Sequence, residues 1–145
     1  MSKTFTVAEA QMLLPVLESL LKRAQSMVER AGGCEAEMQQ LSQRIFLSGG
    51  MHVDVVAAAR RRAEREKSVQ AAKDTLSEIE AIGVKVQDLA SGLLDFPCTR
   101  NGETVLLCWR LGEPVIGHWH GLEDEASERR PLDARFEGGE RERPN

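Results

Sequence analysis

"TRNGETVLLCWRLGEPVIGHWH", residues 99–120, holds both tryptophans, two of the three histidines and one of the three cysteines in a 145-residue chain that has no tyrosine. How this stretch pairs decides the fold of the C-terminal half. Asn101-Gly102 suits a two-residue hairpin turn, because both central positions of a type I′ turn need a positive φ. The runs "GLLDFP" (92–97) and "TVLLCWRL" (104–111) on either side then become two antiparallel strands. The turn sets Arg100 opposite Glu103. It follows that Asp95 faces Cys108, Phe96 faces Leu107 and Leu93 faces Arg110. Along the second strand Val105, Leu107, Trp109 and Leu111 share one side, and Leu106, Cys108 and Arg110 share the other. The first set is the core face. A further turn at "GEP" (112–114) returns "VIGHWH" (115–120) as the next strand, and "VKVQDL" (84–89) supplies another. The pattern predicts a three- or four-stranded antiparallel meander over 84–120.

The turn at 112–115 leaves two registers open. If Leu111 pairs with Ile116, His118 faces Trp109. If Arg110 pairs with Ile116, His118 faces Cys108, and Asp95, Cys108 and His118 line one face across three strands. His118 and His120 are two apart, so they share a side of a strand, and two such histidines are half of a zinc site. Cys108, His118 and His120 are therefore the candidate metal ligands. Asp95, Arg110 and Glu113 form a second constellation, a candidate ligand-binding set that also reads as a plain charge pair of Arg110 with Asp95 ordering the hairpin. As a nucleophile Cys108 needs access and a depressed pKa. Between Leu107 and Trp109 it reads better as a buried, inert thiol. His52 reads as a solvent-facing residue of a helix turn.

The N-terminal half has a different period. "FTVAEA" (5–10) places Thr6 three residues before Glu9, the spacing of a capping box. From Ala10 the apolar positions run Ala10, Leu13, Leu17, Leu20, Ala24, Met27, Ala31, Cys34, Met38, Leu41 and Ile45, in alternating steps of three and four. That is a heptad seam, widened by Leu14, Leu21 and Val28. It passes through Gly32-Gly33 without losing register, so one helix of about 7–47 is expected, with a soft spot at the glycines; a break there into two helices is the alternative. Pro15 should kink it or delay its start. "SGGMH" (48–52) marks the turn. A second helix follows from about Val53 to Ile82, closed by Gly83, with Ile79, Leu76, Ala72, Val69, Arg65, Arg62, Ala58 and Val55 as its seam. With the loop centred near residue 50, Arg65 and Arg62 should lie near Cys34 and Met38; they read first as solvent-facing arginines with buried stems, and otherwise as a register device, as partners of Glu35 and Glu37, or as a surface that a partner covers. The fold expected is α+β: a long antiparallel helical hairpin, coiled-coil-like, over 5–82, then the small β-meander over 83–120. The sheet should cover Phe5, Ala10, Leu13 and Leu14, which the second helix is too short to reach. Leu14, Leu21 and Val28 on the flank of the seam call for cover, most simply from a second copy.

Bulk properties exclude several classes. A net charge of −4 is too mild to imply a strongly charged partner. "RRRAEREK" (60–67) spreads its arginines around a helix among glutamates, which disfavours nucleic acid. No apolar run approaches the ~20 residues of a membrane span, and "MSKTFTVAEA" lacks the apolar core of a signal peptide. A cytoplasmic location is expected, with reduced cysteines. The last stretch, "GLEDEASERRPLDARFEGGERERPN" (121–145), has little apolar content and reads as a polar, disordered tail beyond a single domain of 1–120. No Gly-rich phosphate loop, H-E-x-x-H or G-x-S-x-G motif occurs.

"FTVAEA" (5–10), "GVKVQDL" (83–89), "GLLDFP" (92–97) and "LCWRLGEPVIGHWH" (107–120) resemble the signature blocks of an uncharacterised bacterial family, domain of unknown function 2203. The resemblance covers about residues 5–120. It implies a bacterial, single-domain protein with no established activity, so no catalytic residue carries over. Asp95, Cys108, Trp109, Glu113, Trp119 and His120 fall in its signature, and His118 falls at a spacer position. The leading functional expectation is a non-catalytic interaction or scaffold module, homodimeric or with a protein partner, without a cofactor. The alternative is a small metal- or ligand-binding protein, or an enzyme, holding zinc or another transition metal on the sheet face of Asp95, Cys108 and His118/His120.

Overall fold

A computed structural model describes residues 3–47, 49, 55–124, 128–133 and 136. It contains helices α1 (Val7–Leu47) and α2 (Val55–Ile82), then strands β1 (Lys85–Asp88), β2 (Leu93–Arg100), β3 (Glu103–Arg110), β4 (His118–Gly121) and β5 (Arg130–Pro131). The strands form one antiparallel sheet in the order β1-β2-β3-β4-β5. This is the expected α+β hairpin and meander, with a fifth strand. His52 lies outside the described residues. The chain divides into two compact units, Lys22–Thr75 and the combination of Met1–Leu21 with Leu76–Asn145.

In the unit of Lys22–Thr75, both helices carry seams. On α1, Ala24, Ala31 and Cys34 are buried, with Met38 and Leu41 half-buried. Gly32 and Gly33 do not interrupt the helix, as the register predicted. On α2 the seam differs from the one read from apolar residues. Its inward positions are 58, 61, 65, 68 and 72, so Arg61 rather than Arg62 and Ser68 rather than Val69 carry the lowest exposure of each pair. Two nearby positions compete for each turn of a helix this polar, and hydrophobicity alone does not choose between them. The buried hydroxyl of Thr75 avoids an unsatisfied state by donating to the Ala71 carbonyl at 2.8 Å. Ion pairs then bridge the helices: Arg65 with Glu35 at 3.3 Å, and Arg61 with Glu37. Both lie in solvent, so they set register more than stability.

The other unit is built on the start of α1. Thr6 and Glu9 exchange bonds as a capping box, Glu9 N–H donating to Thr6 Oγ1 at 3.0 Å and Thr6 N–H to Glu9 Oε1 at 2.9 Å. The helix therefore starts at Val7, and Pro15 neither delays nor ends it. Ala10, Leu14, Leu17, Leu20 and Leu21 meet Ile79, Val84, Leu94, Phe96, Cys98, Val105, Leu107, Trp109, Ile116 and Trp119 in one core. So the sheet covers the first turns of α1, as expected. Leu14 and Leu21 are buried within the chain, and of the three flank residues only Val28 is exposed. The case for a second copy resting on that flank keeps one residue of three.

Local backbone chemistry explains the sheet. Asn101 and Gly102 have φ of 54° and 79°, the values of the I′ turn. β2 and β3 pair as the turn dictates, with Arg100↔Glu103, Asp95↔Cys108 and Leu93↔Arg110. Pro97 stands inside a strand with no N–H to give, yet its carbonyl accepts Phe5 N–H at 2.7 Å. In an antiparallel strand the N–H and C=O of a residue point the same way. The missing donor of Pro97 thus faces away from β3 and costs the hairpin ladder nothing.

The polar segment after residue 120 is not detached throughout. β5 pairs with β4, and Phe136 is buried against Trp119, with ring centroids 5.8 Å apart. Arg100 stacks over both rings, at 4.5 Å from Trp119 and 5.4 Å from Phe136, and pairs with Asp133 at 3.1 Å. One aromatic side chain and a few arginine stems anchor a stretch whose average composition gives no sign of it.

Candidate functional site

The turn between β3 and β4 decides what the polar face of the sheet contains. Glu113 organises it. Its N–H donates to the Arg110 carbonyl at 2.9 Å, its side chain accepts Arg110 N–H at 2.7 Å, and its carbonyl accepts the Trp109 indole N–H at 2.9 Å. Gln11 of α1 accepts Ile116 N–H at 3.0 Å. These bonds select the second of the two registers, with Cys108 opposite His118 and Leu106 opposite His120.

That register places Asp95, Cys108 and His118 in a row across β2, β3 and β4. The groups that converge are nevertheless different. One ligand atom each from Asp95, Cys108 and His120 lie within 4.8 Å of one another. Asp95 and Cys108 are 0% exposed and His120 is 1% exposed. His120 Nε2 stands 3.1 Å from Asp95 Oδ1, diagonally across β3. Strand twist and long side chains favour such diagonals, and a reading of directly opposed pairs misses them. His118 turns away instead, its Nδ1 3.1 Å from Arg129 Nη2. Arginine can only donate, so His118 Nδ1 accepts. Of the three expected metal ligands, Cys108 and His120 meet each other and Asp95, and His118 belongs to a separate cluster.

The second constellation also resolves differently. Asp95 pairs with His120 and Gln87, not with Arg110, which is exposed at the sheet's end. Asp95 points inward under β3, while the last residue of that strand is free to point to water. Glu113 takes Arg129, whose Nη2 lies 2.9 Å from both carboxylate oxygens. Burial pushes the Glu113 carboxyl up, but its bonds to Arg110 N–H and the Arg129 guanidinium outweigh that and hold it below the ordinary range. Asp95 and Glu113 thus take different side-chain partners, while Arg110 gives its N–H to Glu113.

His120 Nδ1 stands 3.0 Å from the Gly121 carbonyl oxygen, which can only accept; in the tautomer protonated at Nδ1 this contact is a hydrogen bond. Nε2 then faces a carboxylate oxygen, another acceptor. In that tautomer two lone pairs oppose each other across a gap that a cation can fill, whereas the tautomer protonated at Nε2 donates to Asp95. Burial pushes the Cys108 thiol up to about 11, with the Arg129 charge pulling the other way and Asp95 adding to the rise. A thiol so held is a poor nucleophile. It is still a good ligand, because a bound metal ion deprotonates it. One sulfur, one imidazole nitrogen and one carboxylate oxygen make a borderline-soft donor set suited to zinc-like ions rather than magnesium or calcium.

Two residues of this face were missed in the sequence. Gln87 donates to Asp95 Oδ2 at 2.6 Å, and Arg129 stands in the segment read as tail. Neither belongs to a motif, and only the folded sheet reveals them.

No curated protein and no solved structure matches this chain. The family model of an uncharacterized conserved protein, domain of unknown function 2203 (DUF2203), matches residues 3–132. That span takes in the capped start of α1, the hairpin turn, the buried Asp95–Cys108–His120 cluster and the β5 segment, and the chain belongs to this family.

Proposed function

We propose that the chain is a metal-binding protein that holds one zinc-class divalent ion between Asp95, Cys108 and His120. The observation that carries this reading is the convergence of three different ligand types, all buried, within 4.8 Å. Supporting it, the Gly121 carbonyl stands where it can accept from Nδ1–H and leave Nε2 as ligand, the arrangement typical around protein-bound metals. Charge balances as well: a carboxylate and a thiolate neutralise a dication beside a neutral imidazole. With Zn–N and Zn–O near 2.0–2.2 Å and Zn–S near 2.3 Å, neighbouring ligand atoms lie about 3.3–3.8 Å apart; Nε2 and Oδ1, at 3.1 Å, are already close to that spacing, and the three atoms lie within 4.8 Å of one another. Three protein ligands leave a fourth position for water or a substrate, the count of a catalytic rather than a structural zinc site, while the burial of all three restricts access to it. Metal analysis of protein purified without an affinity tag tests it. About one equivalent of transition metal is expected, and almost none in His120→Ala. Equal metal content in the two proteins, or none in either after incubation with zinc, overturns the reading.

The interaction reading has one specific support of its own. At the turn end of the helices Phe46, Leu47, Val55 and Val56 are 83%, 77%, 67% and 65% exposed. Four large apolar side chains near one turn are more than the scattered exposure of a solvated surface. Light scattering of the wild type and of the double variant Phe46→Ser/Val56→Ser checks this. The reading expects an assembly larger than one chain that the variant dissolves, and a monomer at all concentrations counts against self-association.

A further inference from the structure

β1 is not a regular strand. Its ladder with β2 runs Lys85↔Asp95, Val86↔Leu94, then jumps to Asp88↔Leu93. One residue, Gln87, is left without a partner in the ladder, which is the definition of a bulge. Bulges break pairing and re-aim a side chain, and they concentrate beside functional sites. Here the side chain of the extra residue reaches Asp95, and its Nε2 donates to Oδ2 at 2.6 Å. The other oxygen, Oδ1, faces His120. Asp95 is fully buried, while Gln87 itself is exposed. The amide is therefore the contact through which the buried carboxylate meets the surface of the sheet.

We propose that Gln87 is a positioning residue for the metal site, resting on the reading of Asp95, Cys108 and His120 as ligands. By occupying Oδ2 it directs the carboxylate to bind through Oδ1 alone. A one-oxygen carboxylate beside one sulfur and one nitrogen suits the low coordination number of a zinc-class ion. It disfavours calcium, which takes six to eight oxygens and often both oxygens of a carboxylate. A neutral amide does this without adding charge: glutamate at this position would set a second anion against Asp95, and leucine would leave Oδ2 without a donor.

Cobalt(II) serves as the probe, because its absorption spectrum reports coordination number and thiolate bonding. Wild type, Gln87→Leu and Gln87→Asn are titrated with cobalt, and the thermal midpoint of each metal-free protein is recorded. The expected result is a four-coordinate spectrum with a sulfur charge-transfer band in the wild type. Gln87→Leu should bind cobalt roughly 10–100-fold more weakly, the usual effect of losing a hydrogen bond to a ligand. Its spectrum should shift towards higher coordination and its metal-free midpoint should stay close to wild type. Gln87→Asn should bind between the two. Wild-type affinity and spectrum in Gln87→Leu overturn the positioning role while leaving the metal site standing. A lower midpoint with unchanged cobalt binding makes Gln87 a structural residue only, and also overturns it. If the wild type gives no cobalt spectrum at all, the ligand reading itself falls, and the role of Gln87 with it.

Discussion

Cys108 shows what one residue reveals in sequence and what it conceals. Its facing pair with Asp95 followed from the Asn101-Gly102 turn alone, because a two-residue loop fixes every later pair on the hairpin. Its burial followed from its neighbours Leu107 and Trp109. Its meeting with His120 did not follow. Opposed pairs can be counted off a sequence, but a diagonal contact depends on twist and on the reach of two side chains. The thiols give a prediction at this scale. Burial raises Cys98, like Cys108, to about 11. In the folded metal-free protein both should resist a thiol reagent at pH 8, and both should react at once in denaturant. The sign for stability follows: a thiol whose pKa rises from 9.0 to about 11 on folding supports the fold fully below pH 9. That support is lost as pH climbs from 9 towards 11, because the unfolded thiol ionises first. Denaturant titrations of Cys98→Ala and wild type across this window should converge in their pH dependence if the thiol is not responsible, and differ if it is.

The elements of this chain were legible to very different degrees. α1 came out with its limits, its cap and its uninterrupted passage through Gly32-Gly33, because a heptad pattern held over many turns outweighs two poor helix formers. α2 came out with its length and with Ala58, Arg65, Ala72 and Ile79 on its inward face, while the positions between them slid by one residue. Ser68 and Thr75 are small enough to bury where Val69 and Leu76 looked the better candidates. The strands were legible in pairing, and the bulge at Gln87 was not, since nothing in "KVQD" distinguishes the extra residue from its neighbours. The glycines of α1 supply the prediction here. Both are exposed, and a Cβ added at either meets nothing within 4 Å. Gly32→Ala and Gly33→Ala should each stabilise the protein by about 0.5–1 kcal/mol, the helix-propensity difference. A chemical denaturation midpoint checks it. A loss of stability instead would mean that this turn of α1 must bend.

For the molecule as a whole, composition misjudged one boundary. The stretch after residue 120 looks too polar to fold, yet Arg129, Arg130 and Phe136 tie it to β4 and Trp119. A mean over 25 residues hides a single aromatic anchor. The same segment brings Arg129 to Glu113 and His118, so the polar face carries two clusters side by side, one buried and one at its rim. Among the described residues no helix is long and apolar enough to cross a membrane. What unites the molecule functionally is the claim that its sheet carries a metal ion in the buried cluster. X-ray absorption at the zinc edge, on protein loaded with one equivalent of zinc and freed of excess by gel filtration, tests that claim most directly. It should show one sulfur at about 2.3 Å and nitrogen or oxygen neighbours at about 2.0–2.2 Å. The sulfur should disappear in Cys108→Ser. A shell of nitrogen and oxygen alone in the wild type, or zinc that does not survive the filtration, would contradict it.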